Sequence, residues 1–410
     1  MSKIKNISSG DIFSYYFEDI SSGNFPYEQI KNEIRNNPTI SQCYRLFLLN
    51  PDESIRNEIP QEDLILGGTY SENYQNGQRR SLSFSLFNRQ KKYTPSINGL
   101  WTETKFKLEV GLEIFGQRVW FPKGIYAVTN LSTSYEQGVE TVNVETGDKF
   151  SILEGQGGTI DLSHTIPVGT DIYEAIVDTL KLQRGNGQYF DAQSVVYDSA
   201  FKDKKTQAKI EKESGSTIGS IILELATQLN AEVFYNTLGQ LTFVPINSVT
   251  NDVDKPILFD YYDDISSLNL SFDLNSVINK IVVLGSTANS NYIRAEAVND
   301  NAASPLCYQR IGYRVGQIIN DNNITSKYLA QDRADYELRQ NLILKSSCSM
   351  NARFNPLLMV NNLITITNDY YGLDQARFLI QGISFSLDFS GTTSLTISNV
   401  ENFSFLTGGR

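Results

Sequence analysis

The stretch Phe378 to Phe403, FLIQGISFSLDFSGTTSLTISNVENF, constrains the fold of this chain most, because its apolar residues alternate with polar ones and change phase once. Alternation on both sides of the turn at Ser390-Gly391 predicts a β-hairpin with one buried face. The phase changes at Gly382, which predicts a β-bulge, since one extra residue moves every later side chain to the opposite face. The positions expected to be buried are Phe378, Ile380, Ile383, Phe385, Leu387, Phe389, Leu395 and Ile397.

The same pattern occurs once more, in Tyr126 to Phe150, with a slip at Asn130 and a turn at Gly138. The apolar positions before and after this slip are Tyr126, Val128, Leu131, Tyr135, Val142 and Val144. Both stretches also end alike, in DKF and ENF. A hairpin repeated together with its bulge predicts a duplicated β-domain. The alternative is two unrelated bulged hairpins in a β-rich chain.

Length, composition and charge limit the possible classes of protein. A chain of 410 residues is too long for a single hydrophobic core, so we expect two to four domains. An apolar content of 40%, with 22 Tyr and 22 Phe, supplies those cores. The net charge is −11 and the acidic residues are spread along the chain, whereas a nucleic-acid-binding groove needs clustered Lys and Arg. We therefore expect no such groove.

The N-terminus and the cysteines indicate the compartment. The sequence MSKIKNISSGD lacks the apolar core of a signal peptide, and no run approaches the roughly 20 apolar residues of a membrane span. Cys43, Cys307 and Cys348 are an odd number of cysteines at wide spacings, which predicts neither a disulfide framework nor a zinc knuckle. We expect a soluble protein made in a reducing cytoplasm, without membrane insertion.

Changes in periodicity divide the chain into four parts. The first part carries one short helical pattern and little else to bury, and two parts alternate as many short strands between turns. The part between those two mixes helices and strands. The predicted parts are an N-terminal arm at 1–40, a first β-domain at 41–156, an inserted α/β domain at 157–254 and a second β-domain at 255–410.

Helical spacing of apolar residues predicts four helices outside the alternating stretches. They are Pro26–Ile34, Asp171–Leu182 with Thr170 as its cap, Ser216–Leu229 and Ile324–Leu342. Lys202–Glu213 is almost purely charged, which predicts a solvated loop or helix face. The glycine-rich segment Gly155–Thr159 predicts a hinge before the insertion.

Few residues are candidates for catalysis or cofactor binding. His164 is the only histidine and no G-x-S-x-G elbow is present, so we interpret His164 as structural or solvated. One His and three distant Cys do not form a usual zinc ligand set. Gly155-Gln-Gly-Gly158 lacks the Lys-Ser/Thr of a phosphate-binding loop, so a linker is preferred over an anion site.

Acidic clusters are the remaining candidates. Asp260–Asp264 and the Asn-Asp runs at 299–301 and 320–323 could hold calcium, but they lack the glycine and the final Glu of an EF-hand loop. Two carboxylates placed in space suffice for a glycosidase, and 46 acidic residues leave that interpretation open. We predict no catalytic, cofactor-binding or metal-binding residue, and a protein that is not an enzyme.

Four stretches give the chain a resemblance to a known family. They are GIYAVTNLSTSYEQGVETVNVETGDKF, TDIYEAIVDTL, TIGSIILELATQLNAEVFYNTLGQLTF and ARFLIQGISFSLDFSGTTSLTI. In this order they resemble the baseplate hub, or tail hub, proteins of bacteriophages and related contractile injection systems, of which the late control protein D family is the nearest. The resemblance covers residues 41–403, and the arm has no counterpart in it. The chain stops at Arg410, so we expect no fused lysozyme or peptidase domain of the kind that some hubs carry.

The resemblance implies a fold and a function. The fold is mainly β with an α+β insertion: two tube-like antiparallel β-barrel domains flank a small α/β domain. The function is that of a structural virion protein, a homotrimer whose six β-domains form a pseudo-sixfold ring between the tail tube and a threefold central spike or tip. Implied partners are the tail tube or distal tail protein, the spike or tip protein, the tape measure protein and other baseplate proteins. The implied location is the phage tail baseplate, assembled in the bacterial host cytoplasm, and no cofactor is implied.

Physical arguments from the sequence agree with this ring. Duplicated domains are what an adaptor between threefold and sixfold symmetry needs. Each chain has a net charge of −11, so three chains together have a net charge of −33. This charge suits a lumen through which DNA passes without specific binding. Two rivals stay open. One is a receptor- or carbohydrate-binding tail protein with exposed aromatic residues in a groove, and the other is a glycan-cleaving tail enzyme with paired carboxylates in a cleft.

Overall fold

The computed structural model describes most of the chain, and strands dominate it. The described residues are 27–37, 42–96, 99–114, 116–182, 184, 187–245, 257–262, 265–285, 293–320, 326–342, 346–388 and 391–400. Unit 1 of the fold comprises Met1–Ile246, Arg353–Val360 and Gly382–Ser394, and unit 2 comprises Asn247–Ala352, Asn361–Gln381 and Leu395–Arg410. The mainly β fold class predicted from the sequence is confirmed, with a large, mostly antiparallel sheet and few helices.

Unit 1 is built on an antiparallel sheet from the first part of the chain. Its strands are β1 (Gln42–Leu49), β2 (Ile55–Glu58), β3 (Leu64–Asn73), β4 (Arg80–Phe87), β5 (Lys105–Ile114), β6 (Gln117–Glu136) and β7 (Val139–Asp148). Residues 382–387 pair with β3, and the order continues β4, β7, β6, β5, β1 and β2. In β4 the residues Leu82, Phe84 and Leu86 are buried between serines that face outward or lie half-buried, as their alternation predicts. Strand β2, IRNE, has no alternation and was not predicted from it.

The predicted helix of the arm is present as α1 (Tyr27–Asn36). It buries Ile30 and Ile34, which stand one helical turn apart. The guanidinium of Arg353 donates hydrogen bonds to the carbonyl oxygens of Ile34 and Asn37 at 3.2 and 3.3 Å. Carbonyl groups in the last turn of an α-helix lack intrahelical partners, so the arginine caps the C-terminus of α1.

The predicted bulge in the first hairpin is confirmed. The pairing of β6 with β7 shifts register between Val128 and Asn130. Thr129 is therefore the extra residue on β6.

The part of this hairpin beyond the bulge is less buried than the alternation predicts. Val142 and Val144 are buried as expected, but Leu131 is only half-buried and Tyr135 is exposed. The reason is the length of the neighbouring strands: the pairing of β5 with β6 ends at Ala127, before Leu131, and the pairing of β4 with β7 ends at Thr141, before the residue opposite Tyr135. Past that point the hairpin extends beyond the sheet.

A small α/β part follows in unit 1. Its elements are α2 (Phe150–Glu154), β8 (His164–Ile166), α3 (Ile172–Leu180), β9 (Val196–Tyr197), β10 (Ile210–Lys212), α4 (Ile218–Leu229), β11 (Ala231–Tyr235) and β12 (Leu241–Pro245). β12 lies between β11 and β9, and β8 pairs with β10. One apolar face of each long helix enters a common core with Phe243 of β12, through Ile176 of α3 and Ile222 of α4.

The cap predicted for α3 is wrong by one residue. The carboxylate of Asp171 accepts the hydrogen bond of the Glu174 amide, so Asp171 caps the helix. Thr170 instead donates its hydroxyl hydrogen to the carbonyl oxygen of Pro167. Both residue types are good caps, and only the position at which the chain turns decides between them.

Two segments predicted to be open are packed against the core. Within the charged run Lys202–Glu213, Ile210 lies on β10 and is completely buried, because pairing with β8 points it into the α/β core. The predicted hinge at Gly155–Thr159 contains a tight helical turn instead. A β-carbon at Gly158 would lie 2.2 Å from the carbonyl oxygen of Leu153, so only glycine fits there.

Unit 2 contains strands and two helices in its described residues. These are β13 (Ile257–Tyr261), β14 (Ile265–Phe272), β15 (Lys280–Leu284), β16 (Arg294–Val298), α5 (Tyr308–Ile311), β17 (Ile319–Asn320), α6 (Lys327–Asn341), β18 (Ser346–Arg353), β19 (Leu363–Asn368), the first part of β20 (Leu373–Leu387) and the last part of β21 (Thr392–Asn399). β14 pairs with β18 and β19 with β20, both antiparallel, while β13 runs parallel to β19. β15 lies between β16 and β17, and α6 packs on these strands through Ala330 and Ala334.

The second hairpin shows the predicted change of phase. Phe378 and Ile380 are buried before Gly382, and Ile383 and Phe385 are buried after it. The positions predicted to be buried farther along are also buried, namely Leu387, Leu395 and Ile397.

Strand β20 also changes its partner near Gly382. Up to Leu379 it pairs with β19, and from Gly382 it pairs with β3. The bulge at Gly382, the equivalence of the two hairpins and the boundaries of the four predicted parts stay predictions. Phe389 and residues 401–403 lie outside the described residues.

Candidate functional site

The residues considered for catalysis or metal binding lie on separate elements. His164 is half-buried on β8, Cys43 lies on β1, Cys307 precedes α5 and Cys348 lies on β18. Within the described ranges, no group of three or more His, Cys, Asp or Glu side chains could hold a metal ion. No helix in the same ranges is long and apolar enough to cross a membrane.

The described members of the acidic clusters take part in packing. Asp260 accepts a hydrogen bond from the hydroxyl of Thr365 at 2.7 Å. Asn299 is buried, and its side-chain amide donates to the hydroxyl of Ser304 at 2.9 Å. Asp263, Asp264 and residues 321–323 lie outside the described residues.

Buried ion pairs connect the large sheet of unit 1 with its α/β part. Arg79 and Arg80 stand at the start of β4, and successive strand residues point to opposite faces. The Arg79 guanidinium lies 2.8 Å from the carboxylate of Glu232 on β11. The Arg80 guanidinium lies 2.5 Å from the carboxylate of Glu72 on β3 and donates to the carbonyl oxygen of Tyr235 at 2.6 Å. The pairs fix β4 between its neighbouring strand and the α/β sheet.

Asp148, the last residue of β7, binds the backbone of the same two arginines. One carboxylate oxygen accepts the amide hydrogens of Arg79 and Arg80 at 2.9 and 3.0 Å, and the other accepts that of Phe150 at 3.0 Å. Burial raises the pKa of Asp148 to about 6, against the lowering effect of these hydrogen bonds. The carboxylate thus holds the turn from β7 into α2 against the start of β4.

Lys149, the next residue, forms the second half of this junction. Its ammonium lies 2.8 Å from a carboxylate oxygen of Glu53 and 2.9 Å from one of Asp191, and it donates to the carbonyl oxygen of Gly239 at 2.9 Å. The hydroxyl of Tyr235 donates to Asp191 at 2.8 Å. Only 2% of the Lys149 side chain is exposed, so a missing partner would leave an uncompensated buried charge.

A bulge in β6 turns another lysine into the interior. Lys123 is the extra residue where the pairing with β5 shifts register between Leu108 and Glu109. Its ammonium donates to the carbonyl oxygens of Pro356 and Leu358 at 2.8 and 3.4 Å. Complete burial lowers the pKa of Lys123 to about 8. Lys123 thereby anchors the segment at 353–360 on the large sheet.

The distal half of the β6–β7 hairpin is exposed on both faces. Residues 129–136 of β6 are exposed except for the half-buried Leu131. The tip is a tight turn in which Gln137 and Gly138 both have positive φ. Tyr135 and Val139 flank it with 76% and 47% of their surface exposed. Exposed apolar side chains on a two-sided hairpin make it a candidate surface for another protein chain.

A cleft of about 800 Å³ opens on unit 1 between the β1–β2 loop, the segment before β5 and residues 187–193. Three of its four acidic side chains, Glu53, Glu103 and Asp191, are paired with basic ones. Glu53 lies 2.6 Å from Lys105, and Glu103 binds Arg184 with a hydrogen bond of 2.7 Å. A glycosidase needs one carboxyl group held as an acid, and carboxylates paired with cations do not offer one.

These buried charges were not predicted from the sequence. Most of them stand beside turns, where charged residues are normally solvated. Lys123 carries one usable signal, because it is the only charged residue in the apolar run VWFPKGIYAV. A lone charge within such a run, beside Pro122 and Gly124, indicates a bulge with a buried polar partner.

Comparison with known proteins gives matches among solved structures. No protein-family model matches the chain, and no curated protein sequence does. The 43 kDa tail protein of prophage MuSo2 from Shewanella oneidensis matches with a TM-score of 0.56 and 16% identity, over 87% of this chain and 97% of that one. The tail protein from Neisseria meningitidis matches with a TM-score of 0.56 and 12% identity, over 89% of this chain and 98% of that one.

A third similar structure is the prophage tail protein gp18 from Listeria monocytogenes, with a TM-score of 0.51 and 14% identity. The match covers 87% of this chain and 94% of the Listeria protein. At such identities the likeness concerns the path of the backbone and carries no site residue from one protein to another. The chain therefore has the fold of phage tail proteins, as its resemblance to the hub family predicts.

Proposed function

We propose that this protein is a structural component of a bacteriophage tail, a homotrimeric hub of the baseplate. The observation that carries the proposal is the extent of the fold match. Three tail proteins of three bacteria align with 87 to 89% of this chain and with 94 to 98% of their own length. Such a match involves the arrangement of all parts of the chain, whereas a shared common domain would match only a fraction of it.

In the proposed hub, each chain supplies two related β-domains, at 41–156 and 255–403. Three chains then supply six, which form a pseudo-sixfold ring between the tail tube or distal tail protein and a threefold spike or tip. The tape measure protein and other baseplate proteins complete its surroundings, and DNA passes through the lumen without specific binding. A register shift at Thr129 in the first hairpin and buried residues that change phase near Gly382 in the second support the duplication.

The exposed half of the β6–β7 hairpin supports a contact with a second copy of the chain. Tyr135 and Val139 lie there in solvent, and the hydroxyl-bearing residues around them can form hydrogen bonds across a β-interface. An isolated hairpin gains little stability from its own contacts. We propose that this half of the hairpin packs against the neighbouring copy in the trimer.

The buried ion pairs support a structural role for the part that they hold. Removing either partner of such a pair is costly, so the α/β part is fixed firmly to the large sheet. A firm connection between the α/β part and the large sheet suits a protein that must keep its shape between two other assemblies. In the described residues the charged groups of this junction bind one another and the backbone.

Light scattering after size exclusion, together with native mass spectrometry, tests the proposal on the full chain alone and mixed with its tail partners. We expect three chains per particle. A chain that stays monomeric in the assembled tail contradicts the hub. Hydrolysis of peptidoglycan by the purified chain contradicts the absence of catalysis.

A further inference from the structure

We propose that the cleft of unit 1 binds a neutral, hydroxyl-rich ring, which is the chemistry of a saccharide unit. This site goes beyond the proposed role in tail assembly. The volume of the cleft, about 800 Å³, falls within the range of about 300 to 1,000 Å³ typical of small-molecule sites. It is therefore large enough for more than one sugar ring.

Glu53 provides a hydrogen-bond acceptor inside the cleft. Its side chain is only 6% exposed, and one carboxylate oxygen receives the ammonium groups of Lys105 and Lys149 at 2.6 and 2.8 Å. The other oxygen is buried and accepts no hydrogen bond from any residue that the structure describes. A buried acceptor that receives no hydrogen bond is energetically unfavourable. A ligand that donates a hydrogen bond there would satisfy this oxygen.

The charged groups around Glu53 favour a neutral ligand group that donates a hydrogen bond. Lys105 and Lys149 already neutralise the carboxylate, so an additional cation would be repelled by two ammonium groups. An anion would meet four acidic and three basic side chains among the residues that line the cleft, so the lining offers it no net positive charge. A hydroxyl group donates its hydrogen without adding charge, and sugars carry several hydroxyl groups on one rigid ring.

Two aromatic side chains provide flat surfaces for such a ring. Trp101 and Tyr189 line the cleft and are each about half exposed, at 49% and 47%. The faces of a sugar ring carry C–H groups with a partial positive charge, which pack well on the negative face of an aromatic ring. Hydroxyl groups at the ring edge stay available for Glu53. Aromatic faces beside fixed polar groups are the combination that binds a saccharide.

The backbone of the cleft is strained at both of its paired glutamates. Glu53 and Glu103 have φ values of 68° and 59°, in the left-handed region that non-glycine residues seldom adopt. Residues in this conformation are strained, and such strain is frequent at binding sites. Both glutamates line the cleft, where Arg184 binds the carboxylate of Glu103.

Tryptophan fluorescence of the full chain tests this site. The chain has two tryptophans, and Trp120, which packs under the guanidinium of Arg45 at 4.2 Å, is not part of the cleft wall. Trp120→Phe leaves Trp101 as the reporter. Neutral probes are the trisaccharides of glucose, galactose, rhamnose and N-acetylglucosamine, and charged probes are a galacturonic acid trimer and trilysine. We expect a saturable change in Trp101 emission with at least one neutral trisaccharide and none with the charged probes.

A pair of variants separates the cleft from the rest of the surface. In the Trp120→Phe background, Tyr189→Ala should weaken binding about tenfold, because one stacking surface is lost. Tyr328→Ala removes a tyrosine that is 78% exposed in unit 2 and should leave the dissociation constant unchanged. Both side chains are exposed, so equal thermal midpoints should confirm that the variants fold.

Three outcomes overturn the proposal. They are no response to any neutral probe at tens of millimolar, a response to a charged probe in place of the neutral ones, and unchanged affinity in Tyr189→Ala. The number of chains per particle is measured on the same samples. Failure of the saccharide site with a trimer present is then distinct from failure of the hub.

Discussion

At the scale of single residues, Asp148 and Lys149 show how two neighbours in sequence hold two parts of the fold together. Asp148 binds the backbone at the start of β4, and Lys149 binds Glu53 and Asp191 on the two sides of the junction. Arg79 adds a third connection through Glu232. Each of these side chains is almost completely buried, so its energetic effect depends on its partners being present.

Replacing Lys149 tests this junction. Lys149→Met keeps the length of the side chain but leaves Asp191 without its buried cation. We expect the free energy of unfolding to fall by about 3–5 kcal/mol, measured by urea denaturation. Lys209→Met is the control, because Lys209 pairs with Glu211 at the surface, where both are more than half exposed. It should change stability by less than about 0.5 kcal/mol, and equal effects of the two variants would contradict the account.

The buried Lys123 predicts a dependence of stability on pH. Its pKa is about 8 in the folded chain and 10.5 in the reference state. Between these values the unfolded chain binds more protons than the folded one, so the free energy of unfolding rises with pH. Below pH 8 both states are protonated and the full cost of burying the charge is present.

The variant Lys123→Met isolates this effect. Relative to the variant, the wild-type chain should gain roughly 3 kcal/mol of stability as the pH rises from 8 to 10.5, since each pKa unit corresponds to about 1.4 kcal/mol. Urea denaturation of both chains across this range measures the difference. A difference that stays constant with pH would show that Lys123 keeps its ordinary pKa when folded.

The residue scale is also where prediction from sequence reached its limit. Alternation identified Val142, Phe385 and Leu395 as buried, because period two depends only on the local chain. The partners of Arg79 and Lys149 lie far away in sequence, on β11 and beyond α3, and nothing local specifies them. Leu131 was expected to be buried and is only half-buried, because the pairing of the neighbouring strand β5 with β6 ends at Ala127.

At the scale of elements, the two hairpins show how a local change of phase relates to strand pairing. In the first hairpin the extra residue Thr129 lets Val128 and the residues beyond it keep their pairing with β7. In the second hairpin, β20 pairs with β19 up to Leu379 and with β3 from Gly382 onward. Sequence predicted where the phase changes, but the exchange of partners depends on the rest of the fold.

Asp substitutions on the two faces of β7 test the register of the first hairpin. Val142 is completely buried, whereas the adjacent Asn143 is exposed. Val142→Asp should cost several kcal/mol and abolish soluble protein, because it buries an unpaired charge. Asn143→Asp adds the same charge on the opposite face and should fold normally. Equal solubility of the two variants would mean that the register is wrong.

The projecting half of the β6–β7 hairpin makes a separate prediction about assembly. Val139→Asp places a charge on a residue that is already 47% exposed, so the folded chain should keep its stability. If the hairpin packs against a second copy, the variant should shift the particle from trimer to monomer in light scattering. Tyr370→Asp, at a site 88% exposed in unit 2, is the control and should remain trimeric. A trimer in the Val139→Asp variant would place the interface elsewhere.

At the scale of the whole molecule, the sequence supported the fold class and the family resemblance better than any site. Periodicity along the chain predicts the order of β-domain, α/β insertion and β-domain, which stays a prediction, and the fold matches those of tail proteins at 12 to 16% identity. The cleft with Glu53, Trp101 and Tyr189 could not be predicted, because its walls come from three separate segments. Local sequence patterns determine single helices and strands, whereas a cleft depends on how distant segments of the chain come together.

The central claim is that three copies of this chain form a ring of six related β-domains. Cryo-electron microscopy of the protein within its tail measures this directly, through the number of chains at the junction of tube and spike and the superposition of 41–156 on 255–403. We expect three chains, a pseudo-sixfold ring, and the hairpins around Thr129 and Gly382 in equivalent places. Six chains in the ring, or two β-parts of different topology, would contradict the account.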